Sequence, residues 1–192
     1  MSKLILGRYT RQGLWSLFLM CALPLHAWTM LLAFRDLSWL TDRTNAWDAI
    51  GVMCYGLLFA LVESVLLFLV TAVLGFLLPA RWEPERRTAV LSALVLVLSV
   101  WAIVSQLYFL INVQLPGGLV ALLVKSQHPL WIIYTVIPAI VILSFGLPVW
   151  SLMRGSGGLR AMGTAIERLG LLATFYLVFD IAAIAIVVIR NL

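Results

Sequence analysis

The chain has 192 residues, of which 64% are hydrophobic and only 11% are charged. This composition lies far outside the range of soluble globular proteins and indicates an integral membrane protein. The net charge of +5 arises from basic residues near the ends of apolar runs, where membrane topology accounts for them. The charge therefore does not indicate a nucleic-acid partner, and the short connections leave no room for a soluble catalytic domain.

Five apolar runs are long enough to cross the hydrocarbon core as helices, which takes about 20 residues per crossing. The runs lack the two-residue alternation of a membrane β-barrel, and every backbone amide in hydrocarbon must be paired internally. We therefore expect an all-α integral membrane protein, a single polytopic domain over residues 1–192 built as a five-transmembrane-helix bundle. The predicted crossings are 14–34, 50–78, 88–115, 130–153 and 166–189.

Basic residues alternate in number between the successive polar gaps with the adjoining helix ends, which hold three, two, three, one, three and one of them. Because Lys and Arg are retained on the cytoplasmic side, this alternation predicts a cytoplasmic N-terminus and a C-terminus outside. Tryptophans mark the same boundaries, as interfacial anchors do. Those at the predicted inner boundaries are Trp15, Trp82 and Trp150, and those at the outer ones are Trp39, Trp47 and Trp131. The predicted location is a bacterial-type inner (cytoplasmic) membrane.

The two predicted outer connections contain apolar residues as well as charges. Residues 35–49 are expected to lie along the membrane surface as a short amphipathic turn of helix, with Asn45 capping the second crossing. The sequence Leu-Pro-Gly-Gly at 115–118 predicts a helix stop. The apolar segment 119–124 that follows is too short to cross and is a candidate re-entrant segment.

Away from their ends, the predicted crossings contain three residues with acidic or basic side chains: His26, Glu63 and Asp180. A charge at the centre of an inserting helix costs about 2.5 to 3.5 kcal/mol, so such residues normally face protein, a cavity or a partner. With a rise of about 1.5 Å per residue, all three lie at a similar depth, slightly on the outer side of the membrane midplane. The sequence therefore predicts a candidate intramembrane polar site.

Further polar side chains lie near that depth. Ser105 and Tyr108 follow one another at helical spacing on the third crossing, Gln106 flanks them, and Tyr176 precedes Asp180 by one turn. We include these four residues in the candidate site. Such groups more often hydrogen-bond neighbouring helices than line a conduit.

The three ionisable residues can have structural roles as well as a functional one. The two carboxyls are equally compatible with hydrogen-bonded structural groups and with a relay. His26, close to Pro24, is suited to bind a backbone carbonyl that the proline leaves free.

Motifs for particular chemistry are missing from the sequence. Metal-ligand clusters, a phosphate loop and a nucleophile elbow are absent, so no catalytic residue, metal or cofactor is indicated. His26 and Tyr108 are the candidates for contact with a cofactor, should one be present. A bis-histidine haem is disfavoured because His128 lies at the outer end of its crossing, far in depth from His26.

These observations favour an accessory or scaffold subunit of a larger membrane complex over an enzyme. The expected partners are the lipid bilayer and either other membrane subunits or further copies of the chain. One alternative is a proton- or ion-coupled carrier or conduit that uses Glu63 and Asp180. Another is a quinone- or pigment-binding redox subunit, or an intramembrane enzyme, that uses His26 and Tyr108.

Overall fold

The computed structural model describes residues 8–114 and 116–192, and these residues form helices and turns without a β-strand. Five of the helices are long and apolar enough to cross a membrane, as the composition predicts, which indicates a multi-pass membrane protein. The exception is the fourth, which is short. In chain order the helices are α1 Arg11–Arg43, α2 Ala46–Leu74, α3 Pro84–Leu110, α4 Gly117–Lys125, α5 Pro129–Arg154 and α6 Ser156–Asn191.

Helix α1 runs well beyond the predicted end at residue 34. Residues 35–43 continue the same helix, so the separate surface turn expected there is wrong. This stretch contains neither Gly nor Pro to end the helix, and α1 stops only at Thr44. Both the backbone N–H and the hydroxyl of Thr44 donate to the carbonyl of Leu40, which closes the last turn.

Asn45 caps α2 as predicted, because its side-chain oxygen accepts a hydrogen bond from the Asp48 backbone N–H at 2.8 Å. With only Thr44 and Asn45 between them, α1 and α2 pack as an antiparallel hairpin. The predicted end of the third crossing, Leu115, lies outside the described residues, and α3 ends at Leu110. The candidate re-entrant segment forms most of α4.

Helix α1 is the centre of the bundle and contacts α2, α3 and α6. Its residues Leu17, Met20 and Cys21 are fully buried. Small residues allow the neighbouring helices to approach closely, since Ala60 and Ser64 of α2 are buried at such a contact. The packed core thus consists of α1, α2, α6 and the first half of α3.

The rest of α3, together with α4 and α5, is packed very differently. None of the described residues between 96 and 151 is buried. Helix α5 is attached near its C-terminal half, where Leu152 is buried and Ser144 accepts a hydrogen bond from the Trp101 indole at 2.9 Å. We call residues 96–151 the open corner.

The two ends of the bundle are named here after an arginine that lies at each. At the Arg87 end, the segment before α1 meets the turn between α2 and α3. At the Arg190 end, the C-terminal turn of α6 meets the start of α2, where Arg190 donates to the Trp47 carbonyl and pairs with Asp48. The absence of a side chain at Gly51 makes room for the Arg190 guanidinium.

Candidate functional site

Helices α1 and α6 bring His26 and Asp180 into direct contact in the packed core. The His26 Nε2 atom lies 2.9 Å from Oδ2 and 3.2 Å from Oδ1 of Asp180. Both residues are enclosed by protein, with exposed fractions of 0% and 2%. Two groups that would be costly in hydrocarbon are therefore paired with each other.

The other nitrogen of the His26 ring determines which atoms carry protons. Nδ1 lies 2.8 Å from the carbonyl oxygen of Ala22, one turn earlier on α1. Since a carbonyl only accepts hydrogen bonds, Nδ1 must carry a hydrogen. The carbonyl that Pro24 deprives of its helical donor belongs to Met20, four residues before it, so His26 does not bind the carbonyl that the sequence suggested.

With Nδ1 protonated, one proton remains to be shared between Nε2 and the Asp180 carboxyl. If it sits on Nε2, the pair is an imidazolium and a carboxylate; if it sits on the carboxyl, both groups are neutral. Either arrangement has no net charge and satisfies the short contact. Removing the proton would set the Nε2 lone pair against a carboxylate in a water-excluded site, which is unfavourable.

Tyr176 completes this part of the site by stacking on the imidazole. The two rings lie 6.2 Å apart between centroids and are inclined by 11°. Tyr176 also packs against a buried apolar cluster formed by α1 and α6, which includes Met20 and Ala173. An apolar pocket between α1, α2 and α6 is lined by Phe179 and Ala183, and neither His26 nor Asp180 is part of its lining. We call the enclosed pair His26 and Asp180, together with the half-buried Tyr176 that stacks on it, the buried triad.

Glu63 lies apart from the buried triad. Its side chain is exposed on α2 and lines a groove between α1 and α2. It forms no hydrogen bond or ion pair with any residue that the structure describes. The depth estimate alone did not reveal this separation, because depth says nothing about the direction in which a side chain points around its helix.

The polar residues of the third crossing are separate from both the buried triad and Glu63. Ser105 and Gln106 are exposed in the open corner, and Tyr108 is half-buried with its ring edge against Phe109. The seven predicted residues therefore divide into the buried triad, Glu63 in its groove, and the polar group on α3. These seven residues therefore do not form one catalytic site.

A cluster at the Arg87 end was not predicted from the sequence. Arg87 is 1% exposed and donates to the carbonyls of Arg8 and Pro79, the latter at 2.9 Å. Its guanidinium lies 5.8 Å from the centre of the Tyr9 ring, and the Tyr9 hydroxyl donates to the Ala72 carbonyl at 2.8 Å. Burial raises the pKa of Tyr9 above its usual value, so this hydroxyl remains a donor at neutral pH.

This cluster joins the segment before α1 to both sides of the α2–α3 turn. No local signal distinguishes Arg87 from the adjacent Arg86, since the burial of Arg87 depends on residues remote in the sequence.

The described residues do not form a metal site by themselves, because no three His, Cys, Asp or Glu side chains among them lie close enough to share an ion. His26 is fully enclosed, so a cofactor would have to displace the side chains packed around its ring to reach it. Comparison with models of known protein families, with curated protein sequences and with solved structures gave no match.

Proposed function

We propose that this protein is an accessory or scaffold subunit of a larger membrane complex, and that its open corner receives transmembrane helices of another protein. One observation carries the proposal: no described residue from 96 to 151 is buried, although this stretch contains most of two membrane-crossing helices. In lipid, helices are held together by close packing and by interhelical hydrogen bonds. The open corner has few such contacts within the chain.

The polar side chains of the open corner support the same proposal. Gln106 presents an amide with donors and an acceptor on the exposed surface of a membrane-crossing helix, and Ser105 lies beside it. Lipid tails offer no hydrogen-bond partner, and an unsatisfied amide in hydrocarbon is costly. Helices of a partner that carry polar groups at this depth would satisfy Gln106 and bury the apolar residues around it.

The packed core, in contrast to the open corner, has buried side chains, which suits a rigid part that holds the open corner in place. Most side chains of α1 between Leu17 and His26 are buried, and His26 and Asp180 form a pair without net charge. A carrier that relays ions between Glu63 and Asp180 would have to connect an exposed carboxyl with one that is enclosed and committed to His26. The separation of the two carboxyls therefore favours docking over the carrier hypothesis.

Site-specific photocrosslinking in the native host tests the docking proposal. We expect a photoreactive residue at Val104 or Tyr134 in the open corner to link to one membrane polypeptide. The peptide of that polypeptide that carries the link should come from one of its apolar segments. The same residue at Leu66 or Val73, equally exposed on α2, is the matched control and should not give this product. Gln106→Leu should lower the yield at Val104.

The outcomes of this experiment are distinct. Identical products from the open corner and from the control positions on α2, or links to lipid alone, would contradict the proposal. A product containing two copies of this chain would replace the scaffold role with self-association.

We also infer that the Arg87 end faces the cytoplasm of a bacterial-type inner membrane. Eight described basic residues lie towards this end of the bundle, in connections or near helix ends, and four lie towards the Arg190 end. The imbalance follows the positive-inside rule. The residues at the Arg87 end are Arg8, Arg11, Arg81, Arg86, Arg87, Arg154, Arg160 and Arg168.

Reporter fusions measure the orientation directly. Green fluorescent protein fused after Leu192 should stay dark, because it does not fold when exported through the membrane unfolded, whereas alkaline phosphatase fused there should be active. Both reporters placed in the α2–α3 turn, after Arg81, should behave in the opposite way. A fluorescent C-terminal fusion without phosphatase activity would reverse the proposed orientation.

A further inference from the structure

We infer that the groove between α1 and α2 binds an organic cation with an apolar body, whose charge is held by Glu63. The groove has a volume of about 470 Å³, within the range of about 300 to 1,000 Å³ typical of small-molecule sites. It lies outside the open corner, so this site is independent of the docking role. The charge, the walls and the shape of the groove each suit such a ligand.

The charge of the groove is negative and incompletely compensated. Two carboxylates line it, those of Glu63 and Asp36, and its described lining contains no Lys or Arg. Asp36 is already paired with its neighbour Arg35, with contacts of 2.6 and 2.9 Å. Glu63 has no such partner in the described part of the chain, so it is the group that a cation would neutralise.

The walls around Glu63 suit the apolar part of such a ligand. Trp28 and Phe59 provide aromatic surface, and Leu32 and Met53 provide aliphatic surface. Aromatic faces attract organic cations through their ring quadrupoles, most strongly when water is excluded. A metal ion is not expected here, because only one of the two carboxylates is unpaired, and one carboxylate among apolar walls supplies too few oxygen ligands for Mg²⁺ or Ca²⁺.

The shape of the groove allows access from one end of the bundle. Met53 and Glu63 are ten residues apart on α2, so this part of the groove extends over roughly 15 Å along the helix. Asp36 lies near the end of α1 at the Arg190 end, whereas Glu63 lies near the middle of α2. A ligand would enter beside Asp36 and place its charge at Glu63.

Gly56 lies in the groove wall between these two points. A Cβ atom added there would be 3.5 Å from Cγ2 of Thr29, an ordinary contact, so a side chain at this position is sterically acceptable at its base. Larger side chains at residue 56 would occupy the groove without changing its charge. Gly56→Leu therefore separates the shape of the site from its electrostatics.

Binding of labelled tetraphenylphosphonium to the purified protein in detergent micelles tests the inference, with empty micelles as the background. We expect saturable binding to the wild type, and a loss of affinity of about tenfold or more in Glu63→Gln, the size expected when one nearby opposite charge is removed in a partly buried site. Gly56→Leu, whose side chain would occupy the groove, should abolish binding. Glu85→Gln, which removes an exposed carboxylate at the Arg87 end, is the matched control and should bind as the wild type does.

Two further measurements test whether the positive charge is required and whether the cation lies at Glu63. The neutral triphenylphosphine oxide, which has similar aromatic groups, should not compete with the cation. In the wild-type protein the cation should protect Glu63 from modification by dicyclohexylcarbodiimide, read from the mass of the peptide that contains it. Absence of saturable binding, equal affinity in Glu63→Gln, or competition by the neutral compound would overturn the inference. Because the purified chain is used alone, none of these results bears on docking to another subunit.

Discussion

Replacing Asp180 with leucine should lower the free energy of unfolding by about 2 kcal/mol, because it leaves the Nε2 atom of His26 buried without a partner. His26→Leu should have an effect of the same size, since it leaves the carboxyl of Asp180 enclosed and unpaired. The measurement is unfolding of the purified protein in mixed micelles by titration with a denaturing detergent.

Asp180→Asn should be much milder than Asp180→Leu. The asparagine amide can donate an N–H to Nε2 while Nδ1 continues to donate to the Ala22 carbonyl, so every hydrogen bond of the imidazole is kept. What this variant loses is the proton that the carboxyl and the ring share. It therefore removes the shared proton while keeping the hydrogen bond.

The double variant His26→Leu/Asp180→Leu provides the control for this prediction. Replacing both members of a buried polar pair with apolar residues is often neutral, whereas removing one member is not. We expect the double variant to recover most of the lost stability, so that the two single effects are strongly non-additive. Strict additivity, or an Asp180→Asn variant as unstable as Asp180→Leu, would show that the pair does not stabilise the core through its hydrogen bond.

The sequence was sufficient to predict the elements that depend on length, hydrophobicity and local caps. The five crossings follow from the apolar runs, and the start of α2 follows from Asn45, whose cap is a local interaction. The predicted depth also placed His26 and Asp180 at the same level. Their contact depends in addition on which face each helix presents, and the uniformly apolar helices give little indication of that.

Glu63 illustrates the same limit from the other side. Helix α2 is apolar around its whole circumference apart from a few residues, so its sequence does not show which face packs against α1 and α6. Ser64, the next residue, is fully buried, while Glu63 is exposed. A rotation of about 100° between neighbouring residues separates a core position from a groove position.

The cluster at the Arg87 end was not predictable for a different reason. The hydrogen bond from Arg87 to the Arg8 carbonyl joins residues that are 79 positions apart. In the sequence, Arg87 is one of several basic residues at a helix start, where a solvated or interfacial position is the ordinary expectation. Only the folded arrangement of the α2–α3 turn against the segment before α1 encloses it.

Gly75, just after α2, shows how closely this cluster is packed, and Gly75→Ala should lower the free energy of unfolding by about 3 kcal/mol. A Cβ atom at residue 75 would lie 1.6 Å from the Tyr9 hydroxyl oxygen and 2.8 Å from Cζ of the same ring. Tyr9 would therefore have to move away, breaking its hydrogen bond to Ala72 and uncovering the guanidinium of Arg87. Gly75 has an ordinary helical φ of −64°, so backbone strain does not contribute.

Two comparisons make this prediction specific to the contact with Tyr9. Gly146→Ala is the matched control, because nothing lies within 4 Å of a Cβ at that position, and it should not destabilise the protein. In a Tyr9→Ala background, Gly75→Ala should add little further loss, since the clashing ring is gone and the remaining close atom, Cδ1 of Leu91, belongs to a flexible side chain. An undiminished effect of Gly75→Ala in that background would mean that Tyr9 does not pack over α2 as described, and the enclosure of Arg87 at this end of the bundle would then have to come from other residues.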